Sequence, residues 1–491
     1  MLKKRIFAAV LSALLVASIG LTAYAMTEHF TDASATASGS AWKQWKTDWV
    51  TLGANLEQVS LTPGADQTKL NFCWYSHTRN DKPSVKLSTS ADMSDAKTFT
   101  GTQTLNKVID GVQYYSSKVT LTGLAEKKTY YYQYENNGTW SKAAAYTTKN
   151  FSGFKLLFVG DPQIGASVGR IPSDSPDAQT AQIAAQNDAY NWNATLKTAL
   201  MAHPDVSFMI SAGDQINYGK DDTMQQELEY SGYLGASALK SLPVATTIGN
   251  HDATTTNYKN HFNNPNPFIE EKNPTVAGNG YFYTYGNALF IFLNTNNYNC
   301  ADHEALIKKA VNANPKAKWR IVTFHQDIYG SGKDHSDSDG IMLRTQLTPL
   351  MDKYDIDVVL QGHDHSYTRT YAISGDNKAH AKYSSTASGS VSDWTKEAFT
   401  TYIAQNNCYA VARNDSGKLV KPNGTVYITA NSASGSKYYE LINSIQNYVA
   451  ARWQEWKPTY SVIEINNNIF TIDTYETETG SKIDTTFSIQ K

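Results

Sequence analysis

The sequence predicts an all-β sandwich followed by an α/β domain, and three observations carry that prediction. Between Trp45 and Lys149, short alternating runs are broken by the turn pairs Pro63-Gly64, Asp110-Gly111 and Asn137-Gly138, the pattern of antiparallel strands. After Asn150, apolar β-branched runs alternate with longer helical stretches, which is the rhythm of an α/β arrangement. Five of those runs end in polar residues, so a site is expected at the carboxyl edge of a sheet.

Taken in order, the chain opens on a leader. Lys3, Lys4 and Arg5 precede an apolar run from Ile6 to Leu21, and Ala23-Tyr24-Ala25 has the small-x-small form of a cleavage site. That is the pattern of an export signal removed after Ala25, and the run is short for a spanning helix. A Ser/Thr/Ala/Gly stretch reads as a flexible tether over 26–44. The sandwich then occupies 45–149, with strands at Leu70–Tyr75, Val112–Leu121 and Thr129–Tyr134, and Trp74 as its core tryptophan. Leu124 followed by Thr129 and Tyr131 resembles the tyrosine corner of fibronectin type III domains. In the α/β part, 150–491, helices are expected at Asp177–Met201, Glu304–Ala313 and Ile341–Tyr354. The stretch from Ser374 to Pro458 is loose, with a strand at Thr425–Thr429 and a surface helix at Asn443–Trp456. Strands at Tyr460–Ile465, Ile469–Tyr475 and Thr485–Ile489 close the second sheet.

Composition narrows the function. The chain has 491 residues and a formal charge of −2, which becomes −5 when the leader's three basic groups are removed. Such a balance gives no electrostatic basis for nucleic-acid or anionic-membrane binding. Three cysteines exclude a disulfide-built scaffold. Cys300 and Cys408 are candidates to pair after export, and Cys73 beside Trp74 reads as a buried thiol.

The strand ends carry the chemistry. Phe154–Val159 runs into Gly160-Asp161, and Val206–Ile210 into Gly213-Asp214. Pro243–Ile248 runs into Gly249-Asn250-His251-Asp252, Trp319–Phe324 into His325, and Ile356–Leu360 into Gly362-His363-Asp364-His365. Asp161, Asp214, Asn250, His325, His363 and His365 offer only oxygen and imidazole donors, which suit Mn, Fe, Zn or Mg. Glycine before the ligand permits an abrupt turn and close backbone approach. Singly, each motif is more often a turn or a hydrogen-bonded residue. The ordered series is specific.

That series resembles the metallophosphoesterase signature, most of all that of the purple acid phosphatases with an N-terminal fibronectin type III-like domain. The resemblance runs from about Trp45 to Ile489. It implies a four-layer fold, two β-sheets flanked by helices, and two bound metal ions, divalent or trivalent Fe, Zn or Mn. By position, Asp214 would bridge the ions. Asn250, His325 and His363 would complete one site, and Asp161 and His365 would serve the other. His251 would touch the substrate phosphate, and His335, ten residues after His325, matches a second substrate histidine.

Two departures stand out. The purple enzymes have a tyrosine three residues after the bridging aspartate, where this chain has Asn217 and, one later, Tyr218. The broader family has a histidine two residues after the first aspartate, where this chain has Gln163. Gln163, Asn217, Tyr218 or water is left to complete the Asp161/His365 site, and no tyrosinate-to-iron absorption band is expected. The implied function is a secreted phosphatase acting on phosphorylated small molecules, with metal-activated water attacking a phosphate monoester directly and His251 or His335 as general acid. A phosphodiesterase or nucleotidase on the same scaffold is the alternative within enzymes. A surface binding protein with a degenerate phosphoesterase domain is the alternative outside them.

Overall fold

The computed structural model describes residues 40–168, 180–220, 223–333, 335–336, 340–376, 408–412 and 417–491. The leader, the tether up to Gly39, the start of the helix expected at Asp177 and much of the loose stretch after Ser374 lie outside them. No helix among the described residues is long and apolar enough to cross a membrane.

The end of the expected tether is instead a helix, Ser40–Gly53. Trp42, Trp45 and Trp49 recur at three- and four-residue spacing, which puts all three on one face. That face packs on the α/β part, not on the sandwich. Trp42 meets Tyr190 edge-on at 5.1 Å and Trp45 meets it at 5.9 Å. The Trp45 indole donates to the Gln186 carbonyl at 2.9 Å.

The sandwich has one sheet of Ser60–Pro63, Leu70–Ser76, Val112–Leu121 and Thr102–Ile109, and a second around Ser84–Ser88 and Thr129–Asn136. Trp74, Phe72, Val85, Leu121 and Tyr132 fill the space between them. The corner hydroxyl belongs to Tyr130, which accepts the Ala125 N–H at 2.8 Å. Tyr131, assigned that place by spacing alone, is one residue out of register, and neighbouring residues of a strand point to opposite faces.

The second part is two seven-stranded mixed sheets stacked face to face. Phe154–Val159 and Val206–Ser211 run parallel at the heart of the first. Trp319–Thr323, Val358–Gln361 and Val426–Thr429 run parallel in the second. Alternation along Phe154–Val159 explains the layers. Leu156 and Phe158 enter the core between the sheets, while Leu157 and Val159 enter the core under the helices Ala181–Ala202 and Thr223–Leu234. A strand buried on both faces reads as a continuous apolar run. The helices Cys300–Ala313 and Gly340–Lys353 cover the far side, giving four layers.

Two expectations fail here. Asn443–Trp456 is not a helix: Val449–Trp453 is a strand paired antiparallel with Tyr367–Thr370. An open sheet edge offers that segment a full ladder of backbone bonds, which outweighs local propensity. The second concerns the cysteines. All three are free thiols, so Cys300 and Cys408 are not joined.

The sandwich also reaches into the α/β part. The Tyr75 hydroxyl donates to Glu227 at 3.1 Å, and its ring stacks on His261 at 4.2 Å. His261 Nε2 meets the other Glu227 oxygen at 2.6 Å. Alongside, the Tyr230 hydroxyl donates to Asp252 at 3.0 Å.

Candidate metal centre

Strand ends at the carboxyl edge of the two sheets deliver all six expected ligands to one place. Backbone conformation marks them. Asp161, Asp214, His363 and His365 have φ of 42°, 46°, 70° and 46°, a left-handed region that costs non-glycine residues about 1–2 kcal/mol each. Such strain persists where the surroundings fix the residue, as the neighbouring loops do here. The His363 N–H donates to Asp161 at 2.9 Å, and the His251 N–H donates to Asp214 at 2.9 Å. The glycines make room for this crowding. A Cβ on Gly249 would stand 2.0 Å from Asp214 Oδ1, and one on Gly213 2.5 Å from His325 Nδ1.

Ligand atoms of Asp214, His325 and His363 lie within 4.8 Å of one another. His325 Nδ1 bonds the Ala212 carbonyl at 2.8 Å, so in the neutral ring Nε2 carries the lone pair. That lone pair faces Asn250 Oδ1 at 2.9 Å and Asp214 Oδ2 at 3.4 Å. His363 Nδ1 approaches it at 3.0 Å. Nitrogen and oxygen ligand atoms crowded this closely are an arrangement a cation can hold together, and the residues fit a metal ion. The electrostatics agree. Burial disfavours a charged His325, yet the Asp214 and Asp161 carboxylates push its pKa up to about 10. Burial likewise opposes ionising Asp214, but the surrounding histidines hold its carboxyl well below the usual range. Burial, then the nearby Asp214 charge, drives Asp161 well above it. Around Asp214 and His325 the field favours positive charge, while burial and the Lys437 ammonium keep His365 neutral.

Asp161 and His365 form the adjoining half. His365 Nδ1 bonds the Lys437 carbonyl at 2.8 Å, and its Nε2 is 3.7 Å from Asp161. His251 stands at the rim: its Nδ1 contacts the Asn217 carbonyl, and its Nε2 is 3.9 Å from Asp214. The His335 ring is 3.8 Å from that of His363, and its Nε2 is 3.3 Å from the Tyr439 hydroxyl. Asp364 steadies its loop, accepting from the Ser331 N–H at 2.8 Å and the Ser336 hydroxyl at 2.9 Å. From outside, buried Arg344 donates to the Ser336 carbonyl at 2.9 Å.

Sequence reasoning missed Lys437 and Tyr439. Tyr439 stands edge-on to both His335 and His365 at 5.0 and 5.2 Å, with the Lys437 ammonium 4.7 Å from its ring. The available signal was the Ser432-Ala433-Ser434-Gly435-Ser436 run after the strand Val426–Thr429, another loop at the same sheet edge. Its Ser432 hydroxyl braces the Asp161 carbonyl at 3.0 Å.

Comparison with known proteins gives this geometry a family. Residues 154–367 match the calcineurin-like phosphoesterase model, and residues 56–148 match the purple acid phosphatase N-terminal domain. Two uncharacterized proteins, from two strains of Mycobacterium tuberculosis, are 22% identical over 335 residues, 63% of this chain and 60% of theirs. The match thus spans less than two thirds of those relatives. Among solved structures, a purple acid phosphatase from yellow lupin (Lupinus luteus) seeds superposes with a TM-score of 0.60 at 15% identity, covering 89% of this chain and 75% of the other. PhoD superposes with a TM-score of 0.53 at 12% identity, covering 88% and 93%. Residues 154–367 are thus a calcineurin-like phosphoesterase domain, of a superfamily of dinuclear metal-dependent hydrolases, with a purple acid phosphatase N-terminal domain in front at 56–148.

Proposed function

We propose that this chain is a secreted phosphatase that hydrolyses small phosphate monoesters at a dinuclear metal centre. The observation that carries the reading is the convergence of Asp214, His325 and His363 ligand atoms within 4.8 Å, with Asn250 on the same His325 nitrogen. Asp214 would bridge, with Asn250, His325 and His363 on one ion and Asp161 and His365 on the other. When bound, such ions supply Lewis acidity that neutralises phosphate charge and makes water a stronger nucleophile near neutral pH.

The chain's own residues do the rest. His325 and His365 each have Nδ1 tied to a carbonyl, at 2.8 Å in both cases, which turns Nε2 inward. Such outer bonds fix tautomer and ring orientation. His251 is 27% exposed, the accessible histidine beside Asp214, and is suited to hand a proton to the departing alcohol oxygen. His335 and the Tyr439 hydroxyl line the opposite side and can orient phosphate oxygens. No side-chain nucleophile is needed, so the phosphoryl group passes to water. The ion identity within Fe, Zn and Mn is part of the proposal, as is the assignment of residues 150–491 to catalysis with the sandwich non-catalytic. Export is supported by the Lys3–Arg5 start and the Ala23-Tyr24-Ala25 site.

The test pairs an aryl phosphate monoester with the matching diester, using metal-loaded wild type and His325→Ala. Monoester turnover exceeding diester turnover, lost in the variant while its circular dichroism is kept, is expected. Faster diester turnover would move the reading to a phosphodiesterase; equal rates in both proteins would end it.

A further inference from the structure

The family's two patterns leave the Asp161/His365 half one protein ligand short, and the loops around it point to a replacement. Gln163 is wholly buried. Like four of the expected ligands it holds a left-handed backbone, at φ 35°. A long side chain is unfavourable there unless its position is fixed. The loops carrying Asp161 and Asp214 run side by side through a parallel bridge between Ile164 and Ile216, and the Gln163 N–H donates to the Asp214 carbonyl at 2.8 Å.

Polar groups around Gln163 are engaged. The Asp161 carbonyl accepts from Ser432 at 3.0 Å and the Pro162 carbonyl from Ser436 at 3.3 Å. The Gln163 carbonyl accepts from the Ala166 N–H at 3.0 Å. The Gln163 amide nitrogen donates to Asn217 Oδ1 at 3.2 Å. Asn217 in turn is held by its own N–H, which donates to Glu229 at 2.9 Å. The amide oxygen of Gln163 is different: it is buried and has no hydrogen-bond partner. Leaving a buried carbonyl oxygen unsatisfied costs about 1–3 kcal/mol, and an amide oxygen is a good donor to a hard cation.

We propose that Gln163 Oε1 is a ligand of the metal ion held by Asp161 and His365, and that Asn217 orients it by accepting the amide N–H. The inference rests on the dinuclear reading above. Asn217, at the position of the purple enzymes' tyrosine, then acts one step back from the ion, as a positioning residue. Exchanging an imidazole or phenolate for a neutral amide oxygen shifts this half from Zn²⁺ toward Mn²⁺, since carbonyl oxygen suits Mn²⁺ and imidazole suits Zn²⁺.

The experiment measures Mn²⁺ and Zn²⁺ stoichiometry and affinity per full-length chain by chelator competition, for wild type, Gln163→Ala, Gln163→His, Gln163→Glu and Asn217→Leu. Wild type is expected to take two ions. Gln163→Ala keeps one tightly and loses the other by at least about tenfold, and Asn217→Leu weakens the same ion by roughly tenfold. Gln163→His moves that ion's preference toward Zn²⁺, and Gln163→Glu tightens it. The last two variants decide the matter should Gln163→Ala not fold. Wild-type affinities for both ions in the Gln163 variants would overturn the inference and assign the position to water, leaving the dinuclear reading intact. Fewer than two ions in wild type would overturn both.

Discussion

Replacing Gly249 with alanine tests how tightly the centre is built. The added methyl would lie 2.0 Å from Asp214 Oδ1 and 2.2 Å from the Asp214 backbone nitrogen, against 3.4–4 Å for an ordinary contact. Even a tight 3.0 Å contact requires a retreat of about 1 Å by Asp214 or by the Gly249 strand end. Both are pinned. Asp214 accepts the His251 N–H at 2.9 Å, and the Gly249 N–H donates to buried Asp252 at 3.0 Å. A misplacement of about 1 Å at a catalytic group costs roughly 100-fold in rate. The effect is steric, because Gly249 does not occupy the left-handed region. Gly111 provides the control. It has φ 76° with nothing near its would-be Cβ, so Gly111→Ala costs about 1 kcal/mol of stability through backbone strain alone. The assay is kcat/KM on an aryl phosphate together with metal content after reconstitution. Gly249→Ala should lose about 100-fold in rate and bind the bridged ions more weakly. Activity within about threefold of wild type at full metal content would refute this account of the crowding.

Further predictions concern stability. His303, wholly buried with Nε2 2.8 Å from the Asn297 carbonyl, has its pKa lowered by burial to about 4. The unfolded ring titrates near 6.5 and takes up its proton first, so stability present at neutral pH is lost as pH falls from about 6.5 to 4, by about 3 kcal/mol. Urea midpoints of His303→Gln should lack that part of the slope; an unchanged slope would contradict the assignment. Tyr130→Phe, by removing the acceptor of the Ala125 N–H, should cost about 1 kcal/mol. Tyr131→Phe should cost less, and the reverse order would restore the spacing-based assignment. Glu227→Ala leaves His261 and the Tyr75 hydroxyl without their buried partner and should cost about 3–5 kcal/mol in chemical denaturation. A loss under 1 kcal/mol would show that this contact does not couple the sandwich to the α/β part.

Much of this was legible in the sequence because strands buried on both faces announce themselves. Phe154–Val159 and Val206–Ser211 are mostly apolar, interrupted only at Lys155, Ser207 and the terminal Ser211, and the polar residue following such a run emerges at the sheet edge. The six candidate ligand positions were picked out that way. What stayed hidden was set by contacts distant in sequence. Tyr439 and Lys437 sit in a loop with no periodicity, and only the fold brings them beside His365 and His335. Val449–Trp453 is a strand because a sheet edge was available to it. The hairpin Tyr281–Tyr285 with Ala288–Phe292 escaped notice although its aromatics are among the most deeply buried. By contrast, the helix Ser40–Gly53 had a readable signal in its tryptophan spacing, masked by the Ser- and Ala-rich stretch before it.

The central claim is that these strand ends hold two ions and that both are needed for hydrolysis. Titrating metal-free full-length protein with Mn²⁺ or Zn²⁺, while following release of phosphate from a monoester, tests it most directly. The account predicts no turnover without metal and a break in activity at two equivalents per chain, with Asp214→Asn inactive throughout. Turnover that survives complete removal of metal, or saturates at one equivalent, would contradict it.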